Sequence, residues 1–199
     1  MIAYLETNFL LAAATGQDAQ TSALLQTDRA NAQLFMPDVC VMEGWYAIVG
    51  KRKEFAAFRA ELDRRVREAQ RDRTSTMAPS ILPSLLDAQL RSGALLNDIE
   101  RRFSDTLSAF VVRGELLPLL PIALDTSLKQ RHIDAPADNL ILHVICEHAA
   151  RHHTTDRVLL TANTNDFASS HVRNVLRAYG VTSLVSDCSN LTRQINAII

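Results

Sequence analysis

The sequence is short of the residues that break helices and form tight turns. Six glycines and six prolines in 199 residues are too few for an all-β protein and point to a chain rich in helix. A disulfide framework is also missing. Cys40, Cys146 and Cys188 are odd in number, widely spaced and contain no CxxC pair, which reads as buried, reduced thiols in a cytoplasmic protein. No window approaches 18 uncharged apolar residues, so no membrane-spanning helix is expected. The N-terminal apolar run has no basic region before it and is broken by Glu6, so no signal peptide is expected either. Nor is there a surplus of charge of one sign. The formal net charge is −1, so any affinity for nucleic acid must come from a local patch. Internal repeats and low-complexity tracts are absent. What is present is a 47% hydrophobic composition, which argues against general disorder and is enough for one α/β domain over residues 1–199.

The first nine residues organise the rest. Ile2, Ala3, Tyr4 and Leu5 form an apolar run without polar alternation, the pattern of a strand buried on both faces of a parallel sheet. The run stops at Glu6-Thr7-Asn8, and Phe9–Ala14 reads as a short buried helix ending near Gly16. Ala19–Arg29 suggests a second helix, Gln33–Met36 a second strand closed by Pro37, and Asp38 an N-cap for a long helix from about Val39 to Arg73, which Gly50 could divide. Thr74–Pro83 is a break. Leu85–Leu90 and Leu95–Val112 read as a helical pair joined near Ser92-Gly93, giving a helical insert at about 75–115. A short strand is expected at Leu119–Leu124 and a helical turn at Asp125–Arg131. Asp134 is placed to cap a helix running to about His152, with Pro136 in its first turn, where a missing N–H is harmless. Arg157–Thr161 is another buried strand, Ala168–Tyr179 a helix stopped by Gly180, Val181–Val185 a strand, and Leu191–Ile199 a last helix. This order predicts an α/β fold with a parallel sheet of about four or five strands in one domain.

Residues 51–73 carry nine Lys or Arg against five Asp or Glu. A solvated helix face laced with i,i+4 pairs accounts for most of that pattern, and a phosphate-contacting ridge is the alternative.

Four acids fall at element ends or helix starts from which they could converge. Glu6 follows the first strand. Glu43 lies one turn into the helix after the second strand, Asp138 in the first turn of its helix, and Asp166 after the strand RVLLT. At the carboxyl edge of an open α/β sheet, ligands bind. Gathered carboxylates repel one another unless a cation neutralises them. Hard oxygen donors select Mg²⁺ or Mn²⁺, which can activate water for attack on a phosphodiester. Each acid also has a plainer explanation. Asp138 suits a helix N-terminus, Glu43 could be a surface residue, and Asp166 lies in the turn-forming run TANTND.

In these residues the sequence resembles the PIN-domain family of metal-dependent ribonucleases, which includes many toxins of toxin–antitoxin pairs. Tyr4-Leu5-Glu6-Thr7-Asn8 matches an opening of hydrophobics followed by Asp-Thr-Asn, with Glu in place of Asp. Glu43, in Pro-Asp-Val-Cys-Val-Met-Glu, matches a Glu early in the helix after the second strand. Asp138, in Pro-Ala-Asp-Asn-Leu-Ile-Leu, matches an Asp that opens a helix. Thr161, Asn163, Asp166 and Phe167 match the closing Thr-x-Asn-x-x-Asp-Phe motif. The resemblance covers essentially the whole chain and implies a single PIN-like domain with an enlarged insert. It implies a divalent-metal-dependent endoribonuclease in which Glu6, Glu43, Asp138 and Asp166 hold Mg²⁺ or Mn²⁺ and Asn163 and Thr161 position water or metal. Asn8 would brace the first loop, and the basic run at 51–73 adds Lys51, Arg52 and Lys53 beside Asn8 as candidate contacts to single-stranded RNA. It further implies RNA, a small antitoxin-like protein and a second copy of the chain as partners. The departure at Glu6 carries its carboxylate outward by one methylene, which implies the alternative of a catalytically weak module that binds RNA or protein.

The histidines stand apart from this. His148 and His152 are four apart on one helix, a spacing that can chelate zinc, and His143 and His153 are near in sequence. No HExxH is present, and surface or helix-end histidines are the plainer reading.

Overall fold

The computed structural model describes residues 1–26, 32–152 and 156–197. The chain divides into two compact units, Met1–Gly44 with Phe103–Ile199, and Trp45–Arg102.

The first unit is α/β. Its strands are β1 (Ile2–Leu5), β2 (Gln33–Pro37), β3 (Glu115–Leu117), β4 (Arg157–Leu160) and β5 (Val181–Val185). They form one all-parallel sheet in the order β3-β2-β1-β4-β5. Helices surround it: α1 (Thr7–Thr15), α2 (Thr21–Leu25), α5 (Pro121–Lys129), α6 (Pro136–Ala150), α7 (Thr164–Phe167), α8 (Ser170–Ala178) and α9 (Cys188–Asn196). The four residues of β1 and the four of β4 are all buried, as the apolar runs Ile2–Leu5 and Val158–Leu160 require for central strands covered on both faces, and the buried Arg157 that opens β4 donates to the Tyr179 carbonyl. Tyr4 pairs in register with Phe35 on one side and Leu159 on the other. The chain winds outward from β1 through β2 to β3, then returns to lay β4 on the other side of β1. The carboxyl ends of β1 and β4 therefore flank the point where the winding reverses, the place where a crevice opens above an α/β sheet.

Two glycines fix the geometry nearby. Gly16 ends α1 with φ +73° and donates its N–H to the carbonyls of Ala12 and Ala13, a left-handed cap that side chains other than glycine adopt at a cost. At Gly114 a Cβ would meet the Phe110 ring at 2.7 Å and the Leu34 carbonyl oxygen at 2.8 Å, so the chain entering β3 passes β2 too closely for any larger residue.

Two long helices belong in part to each unit: α3 (Asp38–Arg71) and α4 (Ala78–Arg113). Within Trp45–Arg102 their segments run antiparallel. Asp63 accepts from Gln89, and Arg52 is paired with Glu100. Leu62, Val66 and Ile99 are buried there. This unit takes in the distal part of α3 as well as most of α4, where the sequence set off only residues 75–115.

Several local expectations are corrected. Leu85–Leu90 and Leu95–Val112 are not two helices but parts of α4. Ser92 and Gly93 do not break it, because the Ser92 hydroxyl donates to the Gln89 carbonyl at 2.9 Å and one glycine costs only about 1 kcal/mol within a strong helix. Gly50 likewise leaves α3 whole. The strand expected at Leu119–Leu124 is displaced to β3, and Pro121 instead opens α5, where proline's missing N–H costs nothing. Asp38 is the first residue of α3 and takes the Leu119 N–H at 3.1 Å. Ala135, not Asp134, is the N-cap of α6, and Asp134 pairs with Arg131 at 3.4 Å. The helix expected at Ala19–Arg29 is α2, and residues 27–29 of that expectation lie outside the described residues. The expected Ala168–Tyr179 helix is α8, with α7 separate before it. Cys40, Cys146 and Cys188 are buried free thiols. No helix among the described residues is long and apolar enough to cross a membrane.

Candidate functional site

The carboxyl ends of β1 and β4 bring the predicted acids into one electrostatic neighbourhood. Glu6 leaves β1 as the N-cap of α1, its side chain bent back onto the helix start. One carboxylate oxygen, Oε2, accepts the Asn8 backbone N–H at 3.0 Å. The other, Oε1, accepts the Asn8 side-chain amide at 2.6 Å and the Thr161 hydroxyl at 3.1 Å. Glu6 is only 1% exposed. Burial pushes its carboxyl above the usual value, the donors from Asn8 and Thr161 pull it down, and the charge of Glu43 pushes it up again. Thr161 passes the connection on, because its hydroxyl also accepts the Asn163 N–H at 3.0 Å.

Asn163 joins the other two acids. It is the N-cap of α7 and accepts the Asp166 N–H. Its side-chain amide nitrogen donates to Asp138 at 3.1 Å and to Asp166 at 2.8 Å. Asp138, in the first turn of α6, is half-buried. Its carboxyl is pushed up to about 6, chiefly by burial and then by the charges of Glu43, Glu6 and Asp166. Glu43, on α3, is held by the Thr7 hydroxyl. Beneath it Cys40 is buried, and burial together with Glu6 and Glu43 raises its thiol while Thr7 hydrogen-bonds to it.

The structure thus brings together Glu6, Glu43, Asp138, Asp166, Asn163, Thr161 and Asn8. Asn8 faces Glu6 and holds it, and its side-chain amide is committed there. Lys51, Arg52 and Lys53 belong to the helical unit. Arg52 is paired with Glu100 and lies 5.2 Å over the Trp45 ring. Two contributors went unassigned in the sequence. Thr7 ties Glu43 to the β1 loop, and only its place between Glu6 and Asn8 hinted at this. Asn139 is buried beside Asp138. Its Oδ1 accepts the N–H groups of His132 and Ile133, and its amide donates to the carbonyls of Ser127 and Gln130. An asparagine on the mostly apolar buried face of α6 was the available signal.

The donor set is one of hard oxygens, and its mutual repulsion at Asp138 is what a divalent cation relieves. Among the described residues no three carboxylate, imidazole or thiolate groups are arranged to hold an ion as they stand. Glu6 contributes to this, since its oxygens already take three donors.

His148 is not part of this site. Its Nδ1 lies 2.9 Å from the Tyr4 hydroxyl and its ring packs 4.4 Å from that of Phe35. Burial, with His152, Arg151 and Arg157 nearby, lowers its pKa to about 4.

The chain matches no family model, no curated protein and no solved structure. The resemblance to PIN domains therefore rests on the four motifs.

Proposed function

We propose that the protein is a divalent-metal-dependent endoribonuclease of the PIN type, cleaving single-stranded RNA. The observation that carries this is the gathering of acids from separate parts of the chain, with Glu6 joined through Thr161 and Asn163 to Asp138 and Asp166 and the charges of Glu43, Glu6 and Asp166 all bearing on Asp138. Repulsion of that kind costs stability and is kept where a cation is to be bound. Glu43, Asp138 and Asp166 would hold Mg²⁺ or Mn²⁺, with Glu6 behind them. Bound there, the ion would supply an activated water and charge stabilisation for the leaving oxygen. Asn163 holds Asp138 and Asp166 in one orientation. Thr161 fixes Glu6 against the β4 loop, and Thr7 orients Glu43. In this reading RNA is the substrate, a small antitoxin-like protein and a second copy are partners, and the buried thiols suit a reducing cytoplasm.

The test is cleavage of a mixed RNA panel with Mn²⁺ by wild type and Asp138→Asn. We expect metal-dependent cleavage that falls by roughly a hundredfold or more in the variant. RNA left intact in every divalent metal, or cut equally by the variant, would overturn the proposal.

One observation favours a second reading, a catalytically weak module that binds RNA or protein. Glu6 is buried and saturated with donors, so it acts first as a helix cap. Glu6→Asp separates the two. Cleavage that rises in this variant identifies the longer side chain as a brake. RNA bound tightly without metal, with no turnover in either protein, supports the binding module.

A further inference from the structure

We propose that His132 and His171 form a site for one borderline transition-metal ion, of the zinc or nickel class, separate from the carboxylate pocket. His132 lies in the connection between α5 and α6, and His171 is the second residue of α8. Their ring nitrogens, Nδ1 of His132 and Nε2 of His171, face each other at 2.9 Å, with ring centroids 5.0 Å apart. Two imidazole nitrogens that face each other from separate elements and share one proton become two ligands on one ion once that proton is displaced. Two Zn–N bonds of about 2.0–2.1 Å at a tetrahedral angle place their nitrogens roughly 3.3 Å apart, so the pair needs to open by only a few tenths of an ångström. The ion takes the place of the proton now shared between the rings. That proton is lost to water, and the ring that held it takes one up at its outer nitrogen, so both imidazoles remain neutral. Water completes the coordination.

The backbones that carry the pair are fixed. Asn139 accepts the His132 N–H at 2.9 Å, and its other bonds pin residues 127–133. Ser169 caps α8 by accepting the Val172 N–H. A third imidazole, His143, lies 5.3 Å from His132 between ring centroids, and its Nε2–H donates to the Gln130 carbonyl. This fixes its tautomer and leaves its Nδ1 lone pair. His171 is exposed and His132 partly so, so an ion can reach them.

The pair favoured by sequence spacing, His148 and His152, is arranged differently. Their rings stack at 4.4 Å with 32° between planes, and His148 Nδ1 is committed to Tyr4.

The experiment is calorimetric titration of Zn²⁺ and Ni²⁺ into the full chain, freed of tag and stripped with chelator. Wild type is compared with His132→Ala, His171→Ala, His171→Asn, His152→Ala and Asp138→Asn, with far-ultraviolet circular dichroism to confirm folding. We expect one ion per chain that depends on the imidazole pair, counted apart from any ion the carboxylate pocket takes, bound at least about tenfold more weakly in each His132 and His171 variant and retained in His152→Ala and Asp138→Asn. His171→Asn leaves the start of α8 intact, so a loss there reports ligation. Wild type that binds neither metal at millimolar concentration, or folded His132 and His171 variants that bind as wild type does, overturns the proposal. So does binding that is lost instead in His152→Ala or Asp138→Asn.

Discussion

The two units handle charge in opposite ways. The α/β unit has nine Lys or Arg against fourteen Asp or Glu, and the helical unit twelve against eight. The electrostatic settings of their acids differ as much as the totals. Asp138 is crowded by other carboxylates in a half-buried crevice and its carboxyl rises to about 6. Glu61 lies on open helix surface between Arg64 and Arg65, and its carboxyl falls to about 2. Glu61, Arg64, Arg65 and Glu68 form a lattice of i,i+3 and i,i+4 pairs, each about half exposed. Such a lattice arises from helical spacing alone and is screened by salt. The crevice arises from topology, needs strands from distant parts of the chain, and works against the stability of the fold that makes it. Charge retained against a stability cost is the better guide to function.

The largest effect on the fold is expected at Glu6. Glu6→Ala strands the Asn8 amide groups and the Thr161 hydroxyl without their acceptor while relieving some repulsion on Asp138. The net loss should be about 2–3 kcal/mol, measured by urea denaturation at neutral pH. Glu6→Gln keeps a carbonyl for part of the donor set and should lose less. If both variants were as stable as wild type, the description of Glu6 as a cap that holds the crevice together would fail.

Asp138→Asn should move stability the other way. A folded carboxyl pKa of about 6 against an ordinary 3.8 means that the native state binds the extra proton between those values. Asp138 therefore costs stability as pH rises through 4 to 6, and the full cost is present at pH 7. With Asp138 half exposed, the discounted gain from Asn at pH 7 is about 1–2 kcal/mol. His148 titrates with the opposite slope. Its folded pKa is about 4 against 6.5, so its neutral burial supports the fold above pH 6.5 and that support is lost on acidification toward 4. The two slopes oppose each other in wild type. Asp138→Asn should therefore leave a melting temperature that falls more steeply between pH 6 and 4 than that of wild type. A parallel pair of pH profiles would sink this account.

Much of the fold was legible because its signals are local. The apolar runs of β1 and β4, the left-handed glycine after α1, and Pro136 at the start of α6 each follow from a few residues. The four acids could be named because each sits at a predicted element end. Their convergence could not be read, since it depends on β4 returning beside β1 across more than 150 positions. Errors clustered where two local signals compete. Ser92-Gly93 resembles a break but lies within a helix strong enough to absorb it. Pro121 resembles the edge of a strand but serves as a helix start. Asn139 and Thr7 were missed because an amide or hydroxyl on a mostly apolar segment reveals a role only once its partners are placed. The facing of His132 and His171, 39 residues apart, has no sequence period at all.

The smallest effect is expected in the helical unit. Glu61→Gln removes a half-exposed surface carboxylate whose pKa is lowered first by hydrogen bonds from Arg64 and then from Arg65. A lowered folded pKa means that the pairing supports the fold above the ordinary value of 4.5 and is lost as pH falls toward 2. Arg64 and Arg65 retain Glu68 as a partner, and exposed pairs of this kind are worth little. The variant's melting temperature at pH 7 and physiological salt should match wild type within measurement scatter. A difference should emerge only at low ionic strength, where screening is weakest, and should shrink again below pH 4.5. A Glu61→Gln effect that survived half-molar salt would mean that the helical surface, like the crevice, holds its charges against a cost, and the contrast between the two units would lose its force.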